Sequence, residues 1–338
     1  MSATVDAGVP PHRTEELVMA DAATPSTDLP RTVALSHDRV LIVRDSTAGD
    51  VDGLLELYQG LSADDLHRRF FSAFHPSREF LANWIAVAER GGRSLVAELR
   101  TGAEPRGRIV GEAGYADLGD QIGEFAITVE PEWRGWLGPY LLDALVTAAA
   151  ERGVRRLEAD ILVENRRMLA LVRARGYATV SHPDWTVRRV AIGTTSRIPD
   201  WRPRQGRPRV LVEIPGGRWY AEDAVREGGI DLLTCPGPEP GPGGRCPELR
   251  GEPCPLVSGA DAIVVALPPG ERTTALIDAH RALHPDTPVC VCGPEDAAVH
   301  EGTTLIPTRI ASADAVALLQ GLTGVRLPTA DPDDAATG

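Results

Sequence analysis

The sequence contains no lysine and only two asparagines, Asn83 and Asn165, so all 35 of its basic side chains are arginine. Its 48 acidic side chains give the chain a net charge of −13. Nucleic acids and anionic membrane surfaces both require clustered positive charge on the protein that binds them. We therefore expect neither a nucleic acid nor a membrane among the partners of this protein.

Long apolar segments are also missing. The longest apolar runs, such as Ala262 to Leu267, fall far below the roughly 20 residues that span a bilayer. The amino terminus shows no basic region followed by an apolar one, so no secretory signal is visible. We expect a cytoplasmic protein, in which thiols are kept reduced. Hydrophobic residues at 43% and charged residues at 25% exclude wholesale disorder, and 338 residues allow about two domains.

Patterning divides the chain into five segments and predicts an α/β fold class. Residues 1–38 lack periodicity, which predicts a disordered leader. Residues 39–192 predict an α+β domain whose mixed, mostly antiparallel sheet gives way to βαβ units. Residues 193–208 are rich in proline and glycine and predict a linker. Residues 209–325 alternate strand and helix, which predicts a smaller doubly wound parallel domain of about five strands, and residues 326–338 predict a loose tail.

One strand–loop–helix segment carries most of the chemical information. It runs from Gly123 to Leu142 and reads GEFAITVEPEWRGWLGPYLL. Pro139 suits the first position of a helix, and Gly138 suits the N-cap before it. Free backbone N–H groups at such a helix start, with Arg134 beside them, predict an anion site suited to phosphates.

This segment resembles the GNAT acetyltransferase superfamily, whose pattern is a strand followed by V-x-P-x-[WY]-[QR]-G-x-G-[ILV]-G. One residue of that pattern is missing between Gly135 and Gly138, so the central glycine is either deleted or replaced by Trp136, whose bulky side chain would stand where backbone usually approaches the cofactor. The resemblance implies acetyl-CoA as the cosubstrate. The residues that it implies for cofactor binding are Ile127, Val129, Arg134, Gly135, Trp136, Leu137, Gly138 and Asn165.

Two further motifs extend the resemblance. Residues 164–168, ENRRM, precede a Gly-Tyr pair as at the end of the family's domain, with Gly176 placed 11 residues after Asn165. Val172 occupies the position at which many members carry a tyrosine that protonates the leaving thiolate. Residues 60–72, GLSADDLHRRFFS, resemble a segment of bacterial protein lysine acetyltransferases.

In that subgroup a glutamate on the fourth strand acts as the general base, and Glu124 is the match. An amine with a pKa of ~10.4 is mostly protonated at neutral pH, so its attack on a thioester needs a base. The resemblance also implies that a backbone N–H near Ile127 or Val129 meets the oxyanion. We interpret Arg68 and Arg69 as solvated charges on a helix.

The C-terminal alternation of strands and helices weakly resembles a response-regulator receiver. The position of the receiver's phosphorylated aspartate reads Ala266, that of its lysine reads Thr308, and its acidic pair is reduced to Glu213. Without those groups phosphoryl transfer is not expected. We expect a pseudo-receiver-like domain with a regulatory or dimerising role.

The five cysteines are grouped rather than scattered. We interpret them as free or redox-active thiols and predict no metal site, with zinc or an iron–sulfur centre as the alternative. Three lie in one loop rich in proline and glycine, and two lie on a later strand: Cys235, Cys246 and Cys254, then Cys290 and Cys292.

Three functions are consistent with these motifs. The first is acetyl-CoA-dependent acetylation of a protein lysine. The second is acetylation of a small-molecule amine, for which we expect a closed acceptor pocket instead of an open cleft over Glu124. The third is a catalytically weak sensor that binds acyl-CoA, which the shortened loop from Arg134 to Gly138 and the absent tyrosine keep open. The acceptor and the oligomeric state, including a homodimer, stay open as well.

Overall fold

The structure is a computed structural model of the chain. It describes residues 29–35, 38–102, 107–181, 185–215, 218–238, 246–297 and 300–324, without the side chains of residues 177–181. Their strands form one sheet with a largely antiparallel N-terminal part and a parallel C-terminal part. Within these ranges no helix combines the length and the apolar character that crossing a membrane requires.

The N-terminal part of the sheet has the spatial order β1-β2-β3-β4-β5-β6-β8-β7. The strands described there are β1 Arg31–Ala34, β2 Arg39–Asp45, β3 Arg93–Thr101, β4 Arg108–Gly119, β5 Ile122–Val129, β6 Arg156–Leu162, β7 Tyr177–Ser181 and β8 Val187–Gly193. Neighbouring strands pair antiparallel, whereas β5 and β6 pair parallel. This arrangement confirms the predicted mixed, mostly antiparallel sheet.

Helices cover both faces of this part of the sheet. They are α1 Val51–Gln59, α2 Ala63–Phe70, α3 Arg78–Ile85, α4 Leu137–Glu151 and α5 Arg166–Ala174. The first three surround a core on one face that includes Leu54 and Leu81, and α4 buries Leu141 and Leu145 against the other face. Polar side chains begin three of the helices: Ser62, Ser77 and Asn165 each accept a bond from a backbone N–H in the first turn.

The structure corrects the prediction of a leader and adds a strand. Arg31–Ala34, inside the predicted leader, form β1 and pair with β2 in the register Arg31↔Val43. Four residues are too few to show the alternation of apolar and polar residues that marks a strand. Val33 nevertheless packs against the core, and backbone pairing with β2 holds the segment in place. Residues 1–28 lie outside the described residues. The strand β7 was also missed, and it pairs with β8 along its length.

The C-terminal part of the sheet is doubly wound and entirely parallel among its own strands, as predicted. Its described strands, β9 Arg209–Glu213, β10 Asp231–Cys235, β11 Ala262–Val265, β12 Val289–Gly293 and β13 Thr304–Pro307, follow the spatial order β10-β9-β11-β12-β13. Helices α6 Glu222–Glu227 and α9 Ser312–Thr323 pack on one face, and α7 Pro255–Ser258 and α8 Glu271–Leu283 pack on the other. The predicted tail lies outside the described residues.

A connector of residues 194–208 joins the two parts and contains neither helix nor strand. The sheets themselves meet at one register pair, Thr179 on β7 and Thr234 on β10. In the connector, Trp201 packs against the C-terminal core and its Nε1 donates a 2.8 Å hydrogen bond to the carbonyl oxygen of Leu256. The segment predicted as a linker is therefore docked against its neighbours.

Candidate active site

The strands β5 and β6 separate in the middle of the sheet. They pair only over Ile122 to Glu124 on β5 and Arg156 to Glu158 on β6, and the last register pair joins Glu124 to Glu158. Beyond this pair β5 continues along β4 and β6 continues along β8, so their facing edges diverge. The separation opens a cleft with a volume of about 1280 Å³.

Most of the predicted site residues line this cleft. They are Glu124, Ile127, Val129, Arg134, Gly135, Gly138 and Asn165. Leu137 does not line it, because its side chain is buried in the core beneath α4. Trp136 does not line it either: its ring stacks edge-on between Trp133 and Tyr140, with centroid distances of 6.2 and 6.1 Å. Trp136 therefore packs against aromatic neighbours, and its role in cofactor binding stays a prediction.

The loop before α4 leaves open space above its backbone. A Cβ added to Gly135 would meet no protein atom within 4 Å, and one added to Gly138 would meet only Leu171 Cδ2 at 3.9 Å. Packing within the protein thus does not require glycine at either position. The helix begins at Leu137, two residues earlier than predicted, so Pro139 is its third residue. The first N–H groups of α4 have no partner within the helix, and a phosphate could approach them across the open space.

Arg134 is held by two protein groups. Its Nε donates a 3.0 Å hydrogen bond to the carbonyl oxygen of Val129, and its Nη1 lies 2.9 Å from Oδ1 of Asp65 on α2. Burial opposes ionisation of Asp65, but hydrogen bonds from Arg134 and Ser62 outweigh it and hold the pKa of that carboxyl below its usual value. Arg134 therefore ties the loop to α2, and its charge is already partly balanced.

Two arginines that the sequence motif contained, but that were not predicted as site residues, lie at the start of α5. Arg166 and Arg167 are exposed and line the cleft. Among the described residues neither guanidinium has a hydrogen-bond or ion-pair partner. Asn165, which was predicted for cofactor binding, accepts a 3.2 Å hydrogen bond from the N–H of Met168 and caps this helix. The two guanidinium groups that remain free to bind an anion thus lie next to Asn165 in the sequence.

Glu124 is an exposed carboxylate at the point where the strands separate. Phe125, Ile127 and Val129 point into the core beneath α4, so the alternation of β5 places Glu124 on the opposite face of the sheet. Thr128 lies on that same face, where its Oγ1 is 3.1 Å from the hydroxyl of Tyr58. The carboxylate therefore faces α1, α2 and α3 and not the core.

A buried carboxylate that the sequence reasoning missed lies on β4 beside Thr128, on the same face of the sheet as Glu124. Glu112 on β4 is fully buried, and it accepts hydrogen bonds of 2.6 Å from Tyr58 and 2.7 Å from Trp84 Nε1. Nε of Arg69 lies 3.9 Å from the same carboxylate. Such a group is stable in the interior only because it is paired and hydrogen-bonded.

Arg69 corrects another prediction, since it is not a solvated charge. Its guanidinium stacks on the rings of Phe70 and Trp84, at 4.9 and 5.4 Å from their centroids. Burial would lower the pKa of Arg69, but the neighbouring Tyr58 and Glu112 outweigh it and raise that pKa, and Glu124 acts in the same direction. Arg68 agrees with the prediction and forms surface ion pairs within α2.

Residues 61–177 match the family model described as Acetyltransferase (GNAT) family. The chain contains a GNAT acetyltransferase domain. Val172, at the family's tyrosine position, is fully buried in the core of that domain, and no tyrosine is among the described residues that line the cleft.

Three solved structures are similar to part of this chain at low sequence identity. The GNAT domain of S. lividans PAT is 22% identical with a TM-score of 0.43, and the match covers 48% of this chain and 96% of that one. A ribosomal-protein-alanine N-acetyltransferase from Brucella melitensis is 24% identical with a TM-score of 0.36, covering 44% and 97%. A phosphinothricin acetyltransferase from Sinorhizobium meliloti, in complex with AcCoA, is 22% identical with a TM-score of 0.39, covering 49% and 94%.

Outside the acetyltransferase domain, the acidic residue at the end of β9 forms part of a buried chain of ionisable groups. Glu213 lies 3.1 Å from Nε2 of His280, whose Nδ1 lies 3.4 Å from Glu248, and Glu248 lies 3.0 Å from His284. Burial alone would lower the pKa of His280, but the charges and hydrogen bonds of Glu213 and Glu248 outweigh it and raise that pKa to about 9. These carboxylates are therefore occupied by protein partners.

The five cysteines are free thiols. Burial raises the pKa of Cys254 and of Cys290 to about 12, and that of Cys292 to about 11. A thiol with so high a pKa is protonated at neutral pH, which is its unreactive form. In the part of the chain that the structure describes, no three His, Cys, Asp or Glu side chains are grouped as a metal site.

Proposed function

We propose that this protein transfers the acetyl group of acetyl-CoA to an amine, and that the preferred acceptor is a lysine side chain of a protein. One observation carries the proposal: Glu124, an exposed carboxylate, lies at the last register pair before β5 and β6 separate, in the cleft of a GNAT domain. A base at that position can reach an amine that attacks a thioester bound between the strands.

The cleft has the groups that acetyl-CoA requires. Its volume of about 1280 Å³ exceeds that of a typical small-ligand site and suits a long cosubstrate. The edge of β5 beyond Glu124 offers backbone N–H and C=O groups to the amides of pantetheine. We assign the phosphates to the open backbone around Gly135 and Gly138, with Arg166 and Arg167 supplying the charge.

The chemistry of the transfer can be assigned to these groups. The amine loses a proton to Glu124 as its nitrogen forms a bond to the thioester carbon. A backbone N–H near Ile127 or Val129 stabilises the oxyanion until the C–S bond breaks. Because Val172 supplies no hydroxyl, CoA leaves as a thiolate and takes its proton from water, which a thiol with a pKa of ~8.5 allows.

Exposure of the site favours a protein acceptor over a small amine. Glu124 is exposed, and Phe71 on the same rim of the cleft is 40% exposed. A small amine would be expected to be enclosed, because a compact ligand needs most of its surface buried to bind well. A lysine presented on a protein surface can reach Glu124 without such an enclosure.

The test is transfer of labelled acetyl groups from acetyl-CoA to two acceptor panels, lysine-containing proteins and small amines such as spermidine, with CoA binding measured in parallel by calorimetry. The proposal predicts CoA binding and labelling of lysine. Labelling of small amines alone would shift the function to that class, and binding without any transfer would indicate a sensor. Absence of both binding and transfer would overturn the proposal.

We assign a regulatory role to the C-terminal part. Its strand order is that of flavodoxin-like doubly wound sheets, which supports the pseudo-receiver interpretation at the level of fold. The connector contacts both parts, which gives the C-terminal part a physical route to the acetyltransferase domain.

A further inference from the structure

A second carboxylate lies directly opposite Glu124. Glu158 on β6 is its register partner, and partners in a parallel sheet project from the same face with backbones about 5 Å apart. Unlike Glu124, Glu158 is only 2% exposed. Unless its charge is balanced, a buried carboxylate this close disfavours the ionised form of the proposed base.

Two arginines balance Glu158, and one of them comes from the connector. Nε of Arg156 donates a 2.6 Å hydrogen bond to Oε1 of Glu158. Arg202 donates to the same carboxylate through two nitrogens, with Nε at 2.9 Å from Oε1 and Nη2 bonded to Oε2. Burial opposes ionisation of Glu158, but its bonds and charge contacts with Arg202 and Arg156 outweigh it and hold the pKa of that carboxyl below its usual value.

The other charged side chains on this face are also paired. Arg189 on β8 makes hydrogen bonds of 2.8 and 2.9 Å to Asp160, and Arg69 on α2 faces Glu112. The groups that surround Glu124 and Arg202 on the packed elements are Arg69, Glu112, Arg156, Glu158, Asp160, Arg189 and, on β10, Asp231. Among the described residues, removal of Arg202 would leave Arg156 as the one arginine hydrogen-bonded to Glu158, with Arg189 acting on it only through its charge, and Arg156 also bonds the carbonyl oxygen of Asp200.

Successive residues of the connector contact different parts of the protein. Asp200 Oδ2 accepts a 2.9 Å hydrogen bond from Arg155 at the start of β6. Trp201 is anchored in the C-terminal core, and Arg204 bonds Asp261 there at 2.9 and 3.1 Å. The position of Arg202 is therefore fixed from both sides, although it lies outside residues 61–177 that match the acetyltransferase family.

We propose that Arg202 is a positioning residue for acetyl transfer: by balancing the charge of Glu158, it limits the negative charge that faces Glu124, the proposed base, from the neighbouring strand. This inference rests on the proposed function. Because Arg202 belongs to the connector, the charge of Glu158 is fully balanced only when the connector is docked. Movement of the C-terminal part would therefore change the activity.

The test uses the full chain and compares Arg202→Gln with Arg202→Lys, with Glu158→Gln/Arg202→Gln and with Arg207→Gln, an exposed arginine of the same connector, as the matched control. The pH dependence of kcat/KM for acetyl transfer is measured for each, together with CoA binding. Arg202→Gln is expected to move the acidic limb of the profile about one unit toward higher pH, a roughly tenfold loss on that limb, with CoA binding unchanged. The double variant, which removes both charges, is expected to have its acidic limb at the same pH as the wild type. The acidic limb of Arg202→Lys is expected to lie between those of the wild type and Arg202→Gln.

A purely structural role would give a different pattern. Arg202→Gln would then lower activity equally at every pH, and the inference would be overturned, as it would be by a pH profile identical to that of Arg207→Gln. If Arg202→Gln does not fold, the double variant decides. An acidic limb at the same pH as that of the wild type supports the inference, and an acidic limb shifted to another pH contradicts it. Absence of transfer by the wild type would instead overturn the proposed function, and this inference with it.

Discussion

The hydroxyl of Tyr58 donates a 2.6 Å hydrogen bond to Glu112, a carboxylate that is completely buried. The bond joins α1 to β4, and Nε1 of Trp84, which lines the cleft, joins α3 to the same carboxylate. The three elements next to the cleft are therefore joined through a carboxylate that must stay fully bonded, because an unsatisfied buried carboxylate is costly.

Tyr58→Phe should lower the free energy of unfolding by about 1–3 kcal/mol, since it removes a donor and leaves Glu112 partly unsatisfied. Urea unfolding followed by circular dichroism measures the change. Tyr140→Phe is the matched control: its hydroxyl has no hydrogen-bond partner among the described residues, and we expect a change in the free energy of unfolding within about 0.5 kcal/mol. Equal effects of the two substitutions would contradict the account of Glu112.

The regular elements of the fold were predictable, and these contacts were not. Apolar spacing places α4 and the strands β9 to β13 within a few residues of their observed bounds, because period and burial are local properties of the sequence. Tyr58 and Glu112 are 54 residues apart, and no local pattern pairs them. Arg69 was misread for the same reason, since the groups that bury it come from α3 and β4.

The site itself was predicted through motifs, and the errors follow from what a motif leaves out. The motif located Glu124 and the two glycines at the cleft, but it could not show that Trp136 turns toward Trp133. It also could not show that Arg202 reaches Glu158, because proline and glycine in the connector indicate only the absence of regular structure. Side-chain direction in irregular segments depends on the tertiary fold.

Substitution of Arg166 and Arg167 by glutamine should weaken acetyl-CoA binding by roughly three- to tenfold for each arginine, because each loses a charge-assisted contact to a phosphate. Calorimetric titration with acetyl-CoA checks this, and kcat should change little. Arg173→Gln, exposed at the other end of α5 and outside the cleft lining, should bind as the wild type does. Wild-type affinity in the variant that lacks both Arg166 and Arg167 would contradict the phosphate assignment.

Stability should depend on pH through His280. Its pKa is raised from 6.5 to about 9 in the folded protein, so its contribution is fully present below about pH 6.5 and is lost as the pH rises through about 9. We expect a loss on the order of 2–3 kcal/mol over that window. Urea unfolding at a series of pH values measures it.

The comparison for this experiment is His280→Gln, with His67→Gln on the surface of α2 as the control. Buried cysteines such as Cys254 also lower stability at alkaline pH, because their thiols ionise more readily in the unfolded chain. Both variants keep those cysteines, so the difference between variant and wild type isolates His280. A slope unchanged in His280→Gln would contradict the raised pKa.

The absence of lysine gives a prediction about self-modification. A guanidinium stays protonated at any accessible pH and is a poor nucleophile, so the arginines should not accept an acetyl group. Prolonged incubation with acetyl-CoA should therefore leave every internal peptide unacetylated on nitrogen. Peptide mass spectrometry checks this. An internal N-acetyl group would contradict the prediction, because it would show that a side chain other than lysine accepts the acetyl group.

The central claim is that Glu124 is the general base, and the kcat of Glu124→Gln tests it most directly. We predict a fall of about 10²- to 10⁴-fold in acetyl transfer with unchanged affinity for CoA, since glutamine cannot take the proton from the amine. Glu132→Gln, an exposed glutamate beside the cleft that does not line it, should keep wild-type activity. A Glu124→Gln protein with the kcat of the wild type would contradict the claim.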